Sequence, residues 1–176
     1  ILAIDNDTTG IVTINNATAI SGTIDNLNAI YNSTGISGLE DENISVTNTG
    51  TINATQVNDL LGETSGTITF VGSGNLAITM TSGETLNLSG ITNSLSGTLS
   101  ITDSTGNETI TGTSANDTLN LSSGNDTVNL GNGSDTINTG IGNLDTFDNI
   151  SDGGSTGMDT LNITNSGTID SANLIA

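Results

Sequence analysis

Four nine-residue blocks constrain this chain more than any other feature. DSTGNETIT, GTSANDTLN, LSSGNDTVN and LGNGSDTIN follow one another from Asp103 to Asn138, and each holds an acid at the same place: Glu108, Asp117, Asp126 and Asp135. A short fixed period is the mark of a repeat fold, in which each unit buries its apolar side chain only by stacking on its neighbours. Downstream the register loosens, with an inserted residue before Asp145 and a longer insertion before Asp159. The acid-Thr-apolar signature survives both, and its apolar positions are Ile110, Leu119, Val128, Ile137, Phe147 and Leu161.

The acids have no counter-charge in the chain. Asp plus Glu number 19, Lys, Arg and His are absent, and the net charge is −19. A compact state of that charge repels itself, so folding calls for bound divalent cations, with calcium the natural candidate. A phosphate backbone or an anionic membrane surface is recognised through Lys and Arg, which excludes nucleic acid and a charged lipid surface as partners. No apolar run approaches the roughly 18 residues of a membrane helix, so no membrane insertion is expected. The apolar fraction of 32% with 2% aromatics would suit disorder, but the regular spacing of Ile, Leu and Val argues against it. Cysteine is absent, which removes disulfides and thiolate metal sites.

Upstream, residues 64–102 keep a related, acid-poor rhythm: Ile68 and Phe70, Leu76 to Met80, Leu86 and Leu88, then Leu99 and Ile101. Alternation of this kind predicts short strands, and the Ser-Gly and Gly-Ser-Gly clusters between them predict turns. One continuous coil is expected from about 64 to 164. Two N-terminal segments predict short helices. In residues 23–32 Ile24, Leu27, Ile30 and Tyr31 share one face, and in residues 53–62 Val57, Leu60 and Leu61 do. The organisation expected is therefore an N-terminal region with helices (1–63), acid-poor rungs (64–102), an acidic repeat segment (103–164) and the start of a further unit (165–176).

That last expectation rests on internal similarity. SVTNTGTINATQVNDLL at 45–61 returns as NITNSGTIDSANLI at 162–175, and the opening ILAIDNDTTGIVTI resembles LLGETSGTITF at 60–70. The pattern admits either a tandem array within a longer chain or subunits that stack head to tail. The chain begins at Ile1 without a Met, which reads as a processed piece of a longer protein.

The acidic blocks resemble the calcium-binding nonapeptide of repeats-in-toxin proteins, Gly-Gly-x-Gly-x-Asp-x-hydrophobic-x, which forms a parallel β-roll. With Asp126 at the acidic position, Gly124 takes the third glycine, Val128 the apolar position, and Leu121 and Ser122 stand where two glycines are usual. Gly131 and Gly133, then Gly140 and Gly142, match in the following blocks, while Ala115 and Glu108 depart from the pattern. The physical logic agrees: a six-residue turn needs glycine or Asn to reach positive φ and to aim carbonyls inward, and three residues of strand then follow.

The resemblance implies an all-β fold, a right-handed parallel β-roll or β-solenoid with calcium-binding turns, after an N-terminal region with two short helices. Two nonapeptides would complete one coil, stacking Glu108 on Asp126 and Asp117 on Asp135. Calcium would then bridge carboxylates of successive rungs, with Gly106, Gly124, Gly133 and Gly142 supplying carbonyls and Asp145 and Asp159 continuing the set.

A second constellation is the outward-facing pairs Thr118 and Asn120, Thr127 and Asn129, Thr136 and Asn138. They form flat ladders that stabilise stacking or, alternatively, present a face to ice or glycan. Catalysis finds no support: without His, Lys, Arg or Cys the usual bases and nucleophiles are missing, so no enzyme activity is expected. The function expected is that of a secreted, calcium-dependent structural module at the cell surface, a repeat of a surface layer, filament or large adhesin that associates with itself. A secretion and folding module of a larger toxin or enzyme is the alternative.

Overall fold

The computed structural model describes residues 1–169; the remainder of the 165–176 segment lies outside the described residues. In chain order the first elements are α1 (Leu2–Asn6), β1 (Val12–Thr13), β2 (Ala19–Gly22), α2 (Ile24–Tyr31), β3 (Ile36–Ser37), β4 (Asn43–Val46), β5 (Gly50–Asn53) and α3 (Ala54–Leu61). Strands then follow almost without interruption: β6 (Ile68–Gly72), β7 (Leu76–Thr79), β8 (Thr85–Asn87), β9 (Ile91–Leu95), β10 (Leu99–Thr102), β11 (Thr109–Thr111), β12 (Asp117–Leu121), β13 (Thr127–Gly131) and β14 (Thr136–Thr139). A 3-10 turn at Ile141–Asn143 precedes β15 (Asn149–Gly153) and β16 (Thr160–Ile163).

Every strand pair among the described residues is parallel, and the chain visits its sheets in rotation. One sheet runs β2-β4-β6-β9, a second β5-β7-β10-β12-β14-β16 and a third β8-β11-β13-β15, with β1 and β3 paired alone. Early turns of the chain are long, as Ile20 faces Ile44 and Ile44 faces Ile68. The first of these sheets ends at β9. From there the chain alternates between the other two, and the repeat shortens so that Leu99 faces Asp117 and Thr109 faces Thr127. Two nine-residue blocks thus make one turn, as the resemblance to the nonapeptide repeat implies. Parallel pairing also starts well upstream of residue 64, since β1 and β2 already take part.

The core is a column of aliphatic side chains enclosed by these sheets. Leu99, Ile101, Ile110, Leu119 and Val128 are all buried, so the middle residue of each short strand points inward, where apolar burial yields about 25 cal/mol per Å². Both expected helices are present. In α2, Ile24, Leu27 and Ile30 are buried; in α3, Ala54, Val57 and Leu60 are. Asn53 opens α3 with a capping box: its side chain accepts from the Gln56 N–H while the Gln56 side chain accepts from the Asn53 N–H. The short α1 was not expected from apolar spacing.

Two apolar positions depart from expectation. Phe147 is 70% exposed and Leu161 53% exposed. Insertion shifts the inward place after β14 to Ile150, which pairs with Val128 and packs against the core. Leu161 pairs with Ile137 in the outermost strand of its sheet and has no further rung above it among the described residues.

Candidate metal centre

The turns joining the two long sheets form two edges, and the expected acids stack along them. On one edge the Glu108 N–H donates to Asp126 Oδ1 at 2.9 Å, 18 residues on, and the Asp126 N–H donates to Asp148 Oδ1 at 3.0 Å. On the other edge the Asp117 N–H donates to Asp135 Oδ1 at 2.8 Å and the Asp135 N–H to Asp159 Oδ1 at 2.9 Å. Glu108 therefore stacks on Asp126 and Asp117 on Asp135, in the expected pairs. Two carboxylates also hold their own turns: Asp117 accepts from the Thr113 N–H and hydroxyl, and Glu108 from the Ser104 hydroxyl. Glu108 accepts as well from the Gly83 N–H of the neighbouring turn.

Asp145 is displaced from this stack. It is exposed, and the buried place above Asp126 belongs to Asp148, whose Oδ2 accepts from the Asp145 N–H at 3.0 Å. With one inserted residue, spacing puts Asp145 at this place; burial and the ladder bond instead select Asp148, 22 residues after Asp126. Asp159 keeps its register but is exposed.

The glycines sort in the same way. At Gly124, with φ +154°, a Cβ would lie 1.5 Å from the Gly106 carbonyl oxygen, so the two turns touch through their backbones. A Cβ on Gly133 would meet the Ala115 carbonyl and Asp135 Oδ1, both at 2.7 Å. Gly142 lies in the 3-10 turn with open space where a Cβ would be. It is outside the close stack, and on the opposite edge Gly157 takes the place over the Gly133 carbonyl.

The structure adds one acid that periodicity missed. Asp103, Glu108 and Asp126 each offer a carboxylate oxygen, and these oxygens all lie within 4.8 Å of one another. All three residues are buried. Oxygens about 2.4 Å from a calcium ion are at most about 4.8 Å apart, so the cluster has the right span. Glu108 Oε2 and Asp126 Oδ2 are buried without a hydrogen-bond partner. Buried unpaired carboxylate oxygen is costly unless a cation meets it, and the chain has no basic side chain to do so. Burial first, with the Glu108 carboxyl adding to it, pushes Asp103 up to about 7. Burial likewise raises Asp126, and raises Asp117 to about 6 against the opposing Thr113 hydrogen bonds. These environments favour either protons or a cation. The missed signal at Asp103 is its place at the first position of its block, five residues before the acid that sets the period.

The outward ladders are occupied with one another. The Asn162 amide donates to Asn138 Oδ1 at 2.9 Å and the Asn138 amide to Asn120 Oδ1 at 3.2 Å. Thr118 pairs in register with Thr136, and Thr127 with Asn149. Asn129 instead turns its oxygen to the Gly131 N–H.

Residues 102–143 match the family model of the RTX calcium-binding nonapeptide repeat (4 copies). The match covers the four periodic blocks and the turns that hold the carboxylate stack. Repeats of this family bind Ca2+, and the ion suits the all-oxygen cluster found here. No curated protein and no solved structure matches the chain.

Proposed function

We propose that this chain, whose residues 102–143 belong to the RTX calcium-binding nonapeptide repeat family, is an extracellular structural module that folds into a right-handed parallel β-roll on binding calcium. It would serve as a repeat of a surface layer, filament or large adhesin. One observation carries the reading: buried carboxylates stack in successive turns with no cationic side chain to balance them. Such a stack is strained by its own charge where calcium is scarce and held together where calcium is plentiful, as it is outside cells. The family's repeat is a calcium-binding structural element, not a catalytic one, and no helix of the described residues is long and apolar enough to cross a membrane.

The Asn120–Asn138–Asn162 ladder supports a mechanical role over a ligand face, because its amides bond along the stack. Circular dichroism and electron microscopy of the purified chain, with calcium and with a chelator, test the proposal. The expected result is strand signal and assemblies in calcium and loss of both on chelation. A spectrum indifferent to chelation would overturn the calcium dependence, and dispersed monomers in millimolar calcium would overturn the assembly role.

A further inference from the structure

The two ends of the strand stack are where the chain is apolar outside. Every large apolar side chain found exposed among the described residues lies there: Ile1, Ile4 and Ile11 at one end, and Phe147, Met158, Leu161 and Ile169 at the other. At the second end Leu130, Ile137, Ile150 and Leu161 line an open cavity of about 240 Å³. Contiguous apolar surface confined to two faces of an otherwise polar molecule marks contact sites.

The structure also shows what kind of surface each end is. The last strand repeats an internal one, at a constant shift of 117 residues between corresponding positions. β16 faces β14 with Leu161 over Ile137, just as β4 faces β2 with Ile44 over Ile20. The Thr164 N–H donates to the Thr139 carbonyl at 2.8 Å, as the Thr47 N–H donates to the Gly22 carbonyl at 2.9 Å. Asn165 Oδ1 accepts from the Ile141 N–H at 2.7 Å, as Asn48 Oδ1 accepts from the Ile24 N–H at 2.6 Å. β16 is thus a second β4, stripped of its cover.

Within the chain β4 is covered by β6, with Ile44 under Ile68, Ser45 under Thr69 and Val46 under Phe70, and Ile44 is 1% exposed. β6 is reached from α3 through a turn in which the Gly66 N–H donates to Thr64 Oγ1 at 2.9 Å. β1 is reached in the same way, from α1 through a turn in which the Gly10 N–H donates to Thr8 Oγ1 at 3.1 Å. The turn before β3 is of this type too, with the Gly35 N–H donating to Ser33 Oγ, but β3 already lies on β1. Among the described residues β1 pairs only with β3, so its other edge is open. An open edge and a matching uncovered strand at opposite ends of one molecule are a heterologous, self-propagating contact.

Resting on the assembly role above, we propose that a second copy of this chain seats β1 on β16 in parallel register, with Val12 over Leu161, Thr13 over Asn162 and Ile14 over Ile163. The junction reproduces the β4–β6 layer and closes the cavity at Leu161.

The chain has no cysteine, so single-cysteine variants test the register directly. Thr13 and Asn162 are exposed, and facing positions on paired strands lie about 4.8 Å apart, within reach of a disulfide. Thr13→Cys mixed with Asn162→Cys in calcium and mild oxidant is expected to yield a cross-linked dimer, with the bond located by mass spectrometry. Thr13→Cys mixed with Thr127→Cys, on the flank, is expected to yield none. Leu161→Asp is expected to abolish sedimentation of assemblies while calcium uptake, read by calorimetry, is unchanged. Assemblies that form normally without the Thr13–Asn162 bond, or with Leu161→Asp, overturn this junction and leave the assembly role standing. Monomers in calcium overturn both.

Discussion

Asp126 is held from both sides along the stack: its Oδ1 accepts the Glu108 N–H at 2.9 Å, and its own N–H donates to Asp148 at 3.0 Å. Its other oxygen, Oδ2, is buried without a hydrogen-bond partner. One carboxylate therefore does two jobs, tying turn to turn through one oxygen and offering the other to an ion.

This division makes Asp126→Asn informative. The amide oxygen can still accept the Glu108 N–H, but a charge and a cation ligand are lost. Calcium affinity at that edge is expected to fall by on the order of tenfold to hundredfold, measured by calorimetric titration. Asp148→Asn is expected to weaken binding as well, whereas Asp145→Asn, at an exposed residue outside the stack, leaves the titration unchanged.

Removing calcium is expected to lower the melting temperature. An ion at 100 times its dissociation constant contributes about 2.7 kcal/mol to stability. The melting temperature followed by circular dichroism should keep rising with the logarithm of free calcium even after the native sites are filled, and magnesium at equal concentration should raise it less because it sheds water reluctantly.

Acidity should act in opposite directions on the two forms. Asp103 and Asp117 are raised in the fold to about 7 and about 6, so between roughly pH 4 and pH 7 the native state binds more protons than the unfolded chain. Stability of the calcium-free form therefore falls as pH rises through that window. In chelator, the melting temperature at pH 5 is expected to exceed that at pH 8. Calcium competes with the same protons, so its affinity is expected to drop as pH falls from 7 to 5.

Backbone contact between turns predicts a sharp contrast between two glycines. Gly124→Ala would drive a Cβ to 1.5 Å from the Gly106 carbonyl at a positive φ, for an expected loss of roughly 3 kcal/mol or more. Gly142→Ala, with open space around it, is expected to leave chemical denaturation within about 0.5 kcal/mol of the parent.

Much of this architecture follows from local chemistry. The nine-residue period points Ile110, Leu119 and Val128 inward, and the resemblance to the nonapeptide family, with two blocks to a turn, pairs Glu108 with Asp126 and Asp117 with Asp135. The faces of α2 and α3 are equally readable from three-to-four spacing. Where the period breaks, the surviving acid-Thr-apolar signature points to Asp145 and Phe147, which the structure leaves exposed. Only three-dimensional packing then decides, by burying Asp148 instead of Asp145 and Ile150 instead of Phe147. Asp103 joins Glu108 and Asp126 because a turn folds back on its neighbour, a relation that no linear repeat encodes. The exposed Leu161 belongs to the same class: its sequence matches a buried strand, and the structure alone shows its outer edge open, since burial there depends on a rung that must come from above.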